Sequence, residues 1–448
     1  MRLVFLVFFA LRGLSFAPPA AVHATLISSE PAADSHLAAS PTRVRLVFSE
    51  PIEGNLARVT LVPGSGAPRV LRASADPRDV HAVIAPVDSL AAGQYRVQWR
   101  VVSADGHAVD GSYLFAVGDT TLGSRPAQPS PAEPSQEVQP PEPEPDVWGP
   151  SVAGAPLIPA IVRGVALGAL MAACGVLLFL STAAPNAAQT GDRRVRTLAT
   201  ALTVAAPVLL AAHCVAWLVN TSPDHTLDAA WAASALGTTV GKIELWRTGL
   251  AVLALWAWWL ARRPALALVF AAAALAVSGA SGHSAAMQPA IAIPAKAIHL
   301  LASAVWLGGL LWLVVRPAGD SMPLFAQDAD RVSSRALLAV IAVAATGVIQ
   351  TLLFLPSIAD VATSPYGWFA LAKTAGLLTL AAFGAYNRQR VMPRMAVDAG
   401  AGGAALRSSV TRELFVMALV IILGGLLAYV PPPGEADEGP MSTHQSTS

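Results

Sequence analysis

Eight long apolar runs fill the second part of this chain, roughly 157–181, 196–219, 245–262, 264–282, 291–315, 335–356, 366–387 and 411–430. Each is long enough for a helix to cross a hydrocarbon core of about 30 Å. The third and fourth are joined by a very short turn at Arg262-Arg263-Pro264. Loops after the odd runs carry Arg193, Arg194 and Arg196; Arg262 and Arg263; Arg316, Arg331 and Arg335; and Arg388, Arg390, Arg394, Arg407 and Arg412. Loops after the even runs hold few basic residues, mainly Lys242. The excess of arginine assigns the first set to the cytoplasm and both termini to the outside. The expectation is an all-α polytopic membrane domain of about eight transmembrane helices over 151–432, followed by a disordered tail, 433–448.

The remainder of the chain has a different character. Only 13% of all residues are charged and 54% are hydrophobic, against about 25% charged in ordinary soluble domains, but the deficit lies in 157–430. Residues 1–22 read as a signal peptide: Arg2, an apolar run Leu3–Ala10, then small residues and Pro18-Pro19. Cleavage before His23 places Ala20 and Val22 at the −3 and −1 positions, whereas cleavage after Ala24 removes His23. Residues 23–118 contain short alternating runs, among them Arg43–Phe48, Arg58–Val62, Val80–Ile84, Tyr95–Val102 and Tyr113–Val117, separated by turn signals such as Pro63-Gly64-Ser65-Gly66. That pattern predicts an antiparallel β-sandwich. Residues 119–150 form a Pro-rich linker, with eight prolines between Pro126 and Pro145. Its reach of up to about 85 Å predicts a sandwich that is tethered but free to swing. A net charge of +1 offers nothing for nucleic acid. The two cysteines, Cys174 and Cys214, fall at different depths of apolar runs and are expected to stay unpaired.

Two constellations carry chemistry. In Ser103-Ala104-Asp105-Gly106-His107, a polar loop between two strands, Asp105 and His107 lie two apart and share a side of an extended segment. A mature N-terminal His23 would add its α-amine and its ring. The combined set is nitrogen-rich and tetragonal, which suits Cu(II), the head of the divalent affinity order. Spacing alone leaves open a plain turn with a surface histidine. No methionine occurs between Met1 and Met171, so composition excludes a thioether Cu(I) site in the sandwich. In the membrane domain, His213, His283 and His299 fall near outer ends of runs, with Met287 between the last two. They are a candidate copper entry site, for Cu(I) if reduction precedes transfer; interfacial histidines bonded to backbone or water are the alternative. Lys242, Glu244 and Arg247 read as a salt-bridged interfacial entry or a proton relay. Gly308-Gly309 predicts close helix packing. There is no nucleotide-binding fingerprint, so transport is not visibly ATP-driven, and the chain is not read as an enzyme.

Residues 23–118 resemble the periplasmic copper-binding protein family CopC. The matching features are His23-Ala24, Pro31–Ser35, Leu46–Glu50, Leu90–Val97, and above all Val102–His107 leading to Gly111–Gly118. The resemblance implies a cupredoxin-like (Ig-like) sandwich that binds Cu(II) through His23, Asp105 and His107, with Glu50 in the outer sphere. Residues 157–430 resemble the CopD copper-resistance membrane family through Ala297–Gly309, Thr346-Gly347, Ser364–Gly367 through Lys373 to Asn387-Arg388, and Arg412-Glu413 before the last run. That resemblance implies inward movement of copper across the inner membrane. Together they describe a CopC–CopD fusion: a multi-pass protein of the bacterial inner membrane, its N-terminal domain in the periplasm, capturing Cu(II) for an importer. Its expected partners are the copper ion, the membrane and a cytoplasmic copper acceptor or cuproenzyme assembly factor. Three rivals stand beside it: a copper oxygenase built on the same histidine chelate, a haem- or copper-dependent membrane redox protein, and a sequestering resistance protein without transport.

Overall fold

A computed structural model describes residues 25–104, 106–118, 157–182, 193–223, 225–282, 288–316, 322–355 and 357–430. The predicted signal peptide, His23, Asp105, the Pro-rich linker, His283, Met287 and the tail lie outside these residues.

The expected sandwich forms from two sheets. One has the order β1 (Leu26–Glu30), β3 (Arg43–Phe48), β7 (Asp79–Pro86), β6 (Ser74–Asp76). The other has the order β2 (His36–Leu37), β9 (Ala108–Val117), β8 (Gly93–Val102), β4 (Arg58–Pro63), β5 (Arg69–Leu71). All neighbours are antiparallel except β2 and β9. The alternation read in the sequence is the alternation of faces: Val44, Leu46 and Phe48 of β3 and Val97, Trp99 and Val101 of β8 point inward. Phe48 meets Trp99 edge-on at 5.1 Å, and Tyr95 stacks on Phe115 at 5.5 Å. Cysteine plays no part in holding the sandwich together.

On the outer face of the first sheet, Arg45 donates to both Asp76 and Asp79 at 2.9 Å. Both carboxyls are held below their ordinary value of 3.8, chiefly by backbone N–H donors, Arg78 for Asp76 and His81 for Asp79, with Arg45 adding to each. A depressed folded pKa stabilises the folded state above the unfolded pKa, and that stabilisation is lost as pH falls through the folded value. The sandwich is therefore expected to melt at a constant temperature above about pH 5 and lower below pH 4. Arg45→Gln should flatten that acid fall; a melting profile that is unchanged in the variant would show the triad contributes nothing.

The helices are α1 (Leu157–Thr182), α2 (Arg193–Thr221), α3 (Ala229–Leu236), α4 (Thr239–Trp259), α5 (Pro264–Ser278), α6 (Pro289–Val315), α7 (Met322–Phe354), α8 (Ile358–Thr363), α9 (Pro365–Tyr386), α10 (Arg394–Val397) and α11 (Ala399–Leu427). Each predicted apolar run coincides with one of α1, α2, α4, α5, α6, α7, α9 and α11. Among the described residues, six helices are long and apolar enough to cross a membrane by length and composition. α5 is shorter, at 15 residues, and α4 carries Lys242, Glu244 and Arg247 in its first half. Several boundaries differ from the sequence reading. α4 begins at Thr239 because the Thr238 hydroxyl accepts the Gly241 N–H at 3.1 Å. α7 and α11 start well before 335 and 411, since apolarity marks only the part of a helix suited to hydrocarbon. Cys174 and Cys214 are unpaired, as expected.

Candidate functional site

The loop singled out in the sequence is a tight turn tied to the strand before it. Ser103 N–H donates to the His107 carbonyl and Gly106 N–H to the Ser103 carbonyl, both at 2.9 Å, and Ala104 N–H reaches the Pro51 carbonyl at 2.9 Å. The last bond places the loop beside Glu50, which is 3% exposed. Gly106 has φ +95°, a conformation that side chains disfavour.

The free swing expected from the linker is not what the structure has. The loop end of the sandwich is seated on the bundle, at the helix ends that carry few arginines. Trp217 Nε1 of α2 donates to the Gly106 carbonyl at 3.0 Å, and Thr239 N–H of α4 donates to Glu53 Oε1 at 2.8 Å. Leu56 and Val102 of the sandwich form one apolar cluster with Trp217, Leu218, Ala235 and Val240. A Cβ on Gly106 would lie 3.1 Å from Val240 and 3.4 Å from Trp217 Nε1, so the seat is fitted to a glycine. Burial of this cluster, together with the two hydrogen bonds, offsets the freedom that a flexible tether would otherwise keep.

His107 follows Gly106, and its ring meets that of Tyr429, just beyond α11, edge-on at 5.2 Å. The Tyr429 hydroxyl in turn meets His213, 1% exposed, whose Nε2 lies 3.2 Å from it. Arg247 Nη2 lies 2.6 Å from His213 Nδ1 and also bonds the Glu244 carboxylate. A guanidinium only donates. Toward Arg247, Nδ1 can only accept, whereas toward the Glu244 Oε2, 3.3 Å from the same nitrogen, it can only donate, so the tautomer decides which of the two it bonds; Nε2 faces the Tyr429 hydroxyl. His213 must give up one of these bonds before it can ligate a metal. Glu244 and Arg247, expected at the interface, are instead a buried pair inside the bundle, and only Lys242 is exposed.

Of the predicted site residues, the structure thus sets His107 and His213 each against the same tyrosine, with Glu50 near the loop. His299 is half-buried and bonds Thr346 Oγ1 at 3.0 Å through Nδ1, a partner unrelated to those of His213. Among the described residues, no three histidine, cysteine or carboxylate side chains are placed to hold a metal together. His23, Asp105, His283 and Met287 fall outside those residues. Sequence reasoning missed Trp217 and Tyr429. Both are single aromatics near the ends of apolar runs, where an interfacial belt is the usual explanation.

Three family models match: the CopC domain at residues 26–118, the copper resistance protein D-like N-terminal domain at 155–292, and copper resistance protein D at 326–427. Copper resistance protein C of Pseudomonas syringae pv. tomato is 36% identical over 125 residues, 26% of this chain and 96% of that protein. Copper transport protein CutJ of Bacillus subtilis (strain 168) is 32% identical over 123 residues, 27% of this chain and 21% of that protein. Among solved structures, PcoC, a methionine-rich copper resistance protein from Escherichia coli, shares 39% identity over 21% of this chain and 98% of its own, with a TM-score of 0.19. The sandwich and the helical bundle it rests on are each matched by these models, and the chain belongs to the copper-resistance families CopC and CopD, joined in one polypeptide.

Proposed function

We propose that this protein captures Cu(II) outside the bacterial inner membrane and delivers copper directly to its own membrane domain for passage inward. In this reading the sandwich is periplasmic and holds the ion through His23, Asp105 and His107, with Glu50 behind them. His213 is the first group of the bundle that copper meets. His283, Met287 and His299 are further candidates, and a cytoplasmic acceptor or cuproenzyme assembly factor takes the ion on the far side. One observation carries the reading: the loop that includes His107 is docked on the bundle, with the His107 ring against Tyr429, whose hydroxyl meets His213. A sequestering domain has no need of such a seat, whereas a donor does. The arginine bias supports the orientation, since the exported domain rests on the arginine-poor ends of the helices. The name of the Bacillus relative, a copper transport protein, agrees with movement rather than storage.

The test uses the full chain in proteoliposomes containing a trapped copper chelator. Trp217→Ala removes the anchor of the seat, including its bond to the Gly106 carbonyl, and leaves every proposed copper ligand in place. Copper bound per sandwich should be unchanged, while copper entry falls about tenfold or more, in line with the cost of truncating a buried tryptophan. Entry at the unaltered rate would separate the two domains functionally and leave sequestration as the better reading.

A further inference from the structure

Toward the arginine-rich end of the bundle, three helical elements meet on one carboxyl. Glu413 of α11 is 1% exposed and lies fourteen residues before the outer end of its helix, a rise of about 21 Å. Trp306 Nε1 of α6 donates to Oε1 at 3.0 Å. Asn387 Nδ2 donates to Oε2 at 3.2 Å from a π-helical turn, Asn387–Val391, that follows α9. Both donors are neutral. The basic residues nearest in sequence turn elsewhere. Arg412, Arg388 and Arg390 are exposed, and Arg407 bonds the Arg316 carbonyl and covers the Phe325 ring. Among the described residues, no titratable side chain of α1, α6, α7, α9, the π turn, α10 or α11 interacts electrostatically with Glu413.

A carboxylate inside a bundle is costly without a charge to pair with. The amide beside it shows the same deficit. Asn387 is 6% exposed, and its Oδ1 has no hydrogen-bond partner among the described residues. Turned over, the amide presents Oδ1 to the carboxyl, where only a carboxyl O–H can satisfy it. The group thus lacks one positive charge held among oxygens. Two side chains are too few for a metal ion of the oxygen-binding class, which takes about six ligands, but they suffice for a proton. A cavity of about 340 Å³ adjoins the same turn, lined by Asp330, Ser333 and Ser334 of α7 and by Arg388, Met392 and Pro393. It begins one residue from Asn387 and gives water a polar approach.

We propose that Glu413 is a proton-binding site, which holds one proton as a neutral carboxylic acid and exchanges it through this cavity with water at the arginine-rich end. On release the O–H bond breaks, the proton passes to water in the cavity, and the indole N–H and Nδ2 hold the carboxylate left behind. On uptake the Asn387 amide turns and Oδ1 accepts from the new O–H. His299 lies seven residues before Trp306 on α6, two turns above it on the same side of the helix and about 10.5 Å away along the axis. A copper ion passing inward from His299 therefore approaches Glu413 and expels its proton, one charge for another. That coupling rests on the inward passage proposed above; the proton site does not.

Infrared difference spectroscopy of the full chain in proteoliposomes reads the proton directly, because a carboxylic acid has a C=O stretch that a carboxylate lacks. At neutral pH the parent should show that band, and alkaline buffer should remove it reversibly. Glu413→Gln, which keeps an acceptor for the indole, should lack it. Asn387→Leu should shift its frequency, since the O–H loses its acceptor, and this variant decides if Glu413→Gln does not fold. No carboxylic-acid band in the parent, or a band unchanged by either substitution, overturns the proton site. Copper added outside liposomes that hold a trapped chelator supplies the second arm: the band should bleach as copper enters. Copper entry with a constant band overturns the coupling. Absence of entry counts against the passage reading, and the pH-dependent band alone then decides the proton site.

Discussion

Replacing His107 by alanine is expected to lower the Cu(II) affinity of the full chain at least about a hundredfold. Removing an outer-sphere partner of a metal ligand commonly costs ten- to a hundredfold, and a ligand itself costs more. The proposed set has no surplus of donors. Without the imidazole it keeps the chelate of His23 and one carboxylate oxygen, a poorer match to Cu(II). Methionine cannot compensate, because none lies between Met1 and Met171. The fold should survive, since His107 is half-buried at the edge of the turn and belongs to no core cluster. Glu50→Gln should fall in the lower, outer-sphere range. His36→Ala is the control: that side chain is exposed on β2, and copper binding should not change. Competition against a Cu(II) chelator reads all three. Equal affinities for His107→Ala and the parent would place the copper elsewhere and remove the basis of the donor reading.

The second large effect lies where α1 and α6 cross. A Cβ at Gly175 would be 2.0 Å from the Ala304 carbonyl and 2.7 Å from the Gly308 Cα, and one at Gly308 would be 2.3 Å from the backbone of Gly175. The obstacle on both sides is backbone, which cannot rotate away. Overpacking against mobile side chains costs about 1–3 kcal/mol, and a backbone clash at a helix crossing exceeds it. Gly175→Val is expected to yield no monodisperse protein from membranes, and Gly308→Val likewise. Gly249→Ala and Gly347→Ala provide the contrast, because nothing lies within 4 Å of a Cβ at either position. They should fold normally or with a gain of up to about 1 kcal/mol from helix propensity. A folded Gly175→Val protein would mean that the helices can separate at the crossing, and the close packing would then not be what holds α1 to α6.

Patterns confined to a few residues were legible without coordinates. The two-residue alternation around Leu46 and Val97 marked strands and their inner faces. Eight apolar runs marked eight helices, because burial of backbone in hydrocarbon demands a continuous stretch of about 20 residues. Gly308 was recognisable as a packing glycine, though its partner, Gly175, was not. The Asp105–His107 spacing drew attention to the loop that docks. What only the tertiary structure decided is where that loop rests and what surrounds the buried charges. The Trp217–Gly106 bond joins residues 111 apart in sequence, Thr239–Glu53 joins residues 186 apart, and His213–Tyr429 joins residues 216 apart. No window of local periodicity contains such pairs. The linker's composition described the freedom of an isolated tether, but the seat around Gly106 is a matter of shape on both sides, and shape arises only when strands and helices have packed. Similarly, Arg163 and Lys296 are each the one Lys or Arg of their apolar runs, 157–181 and 291–315. Their convergence beside Gly282 follows from the packing of separate helices, whose relative rotation is set by side chains throughout the bundle.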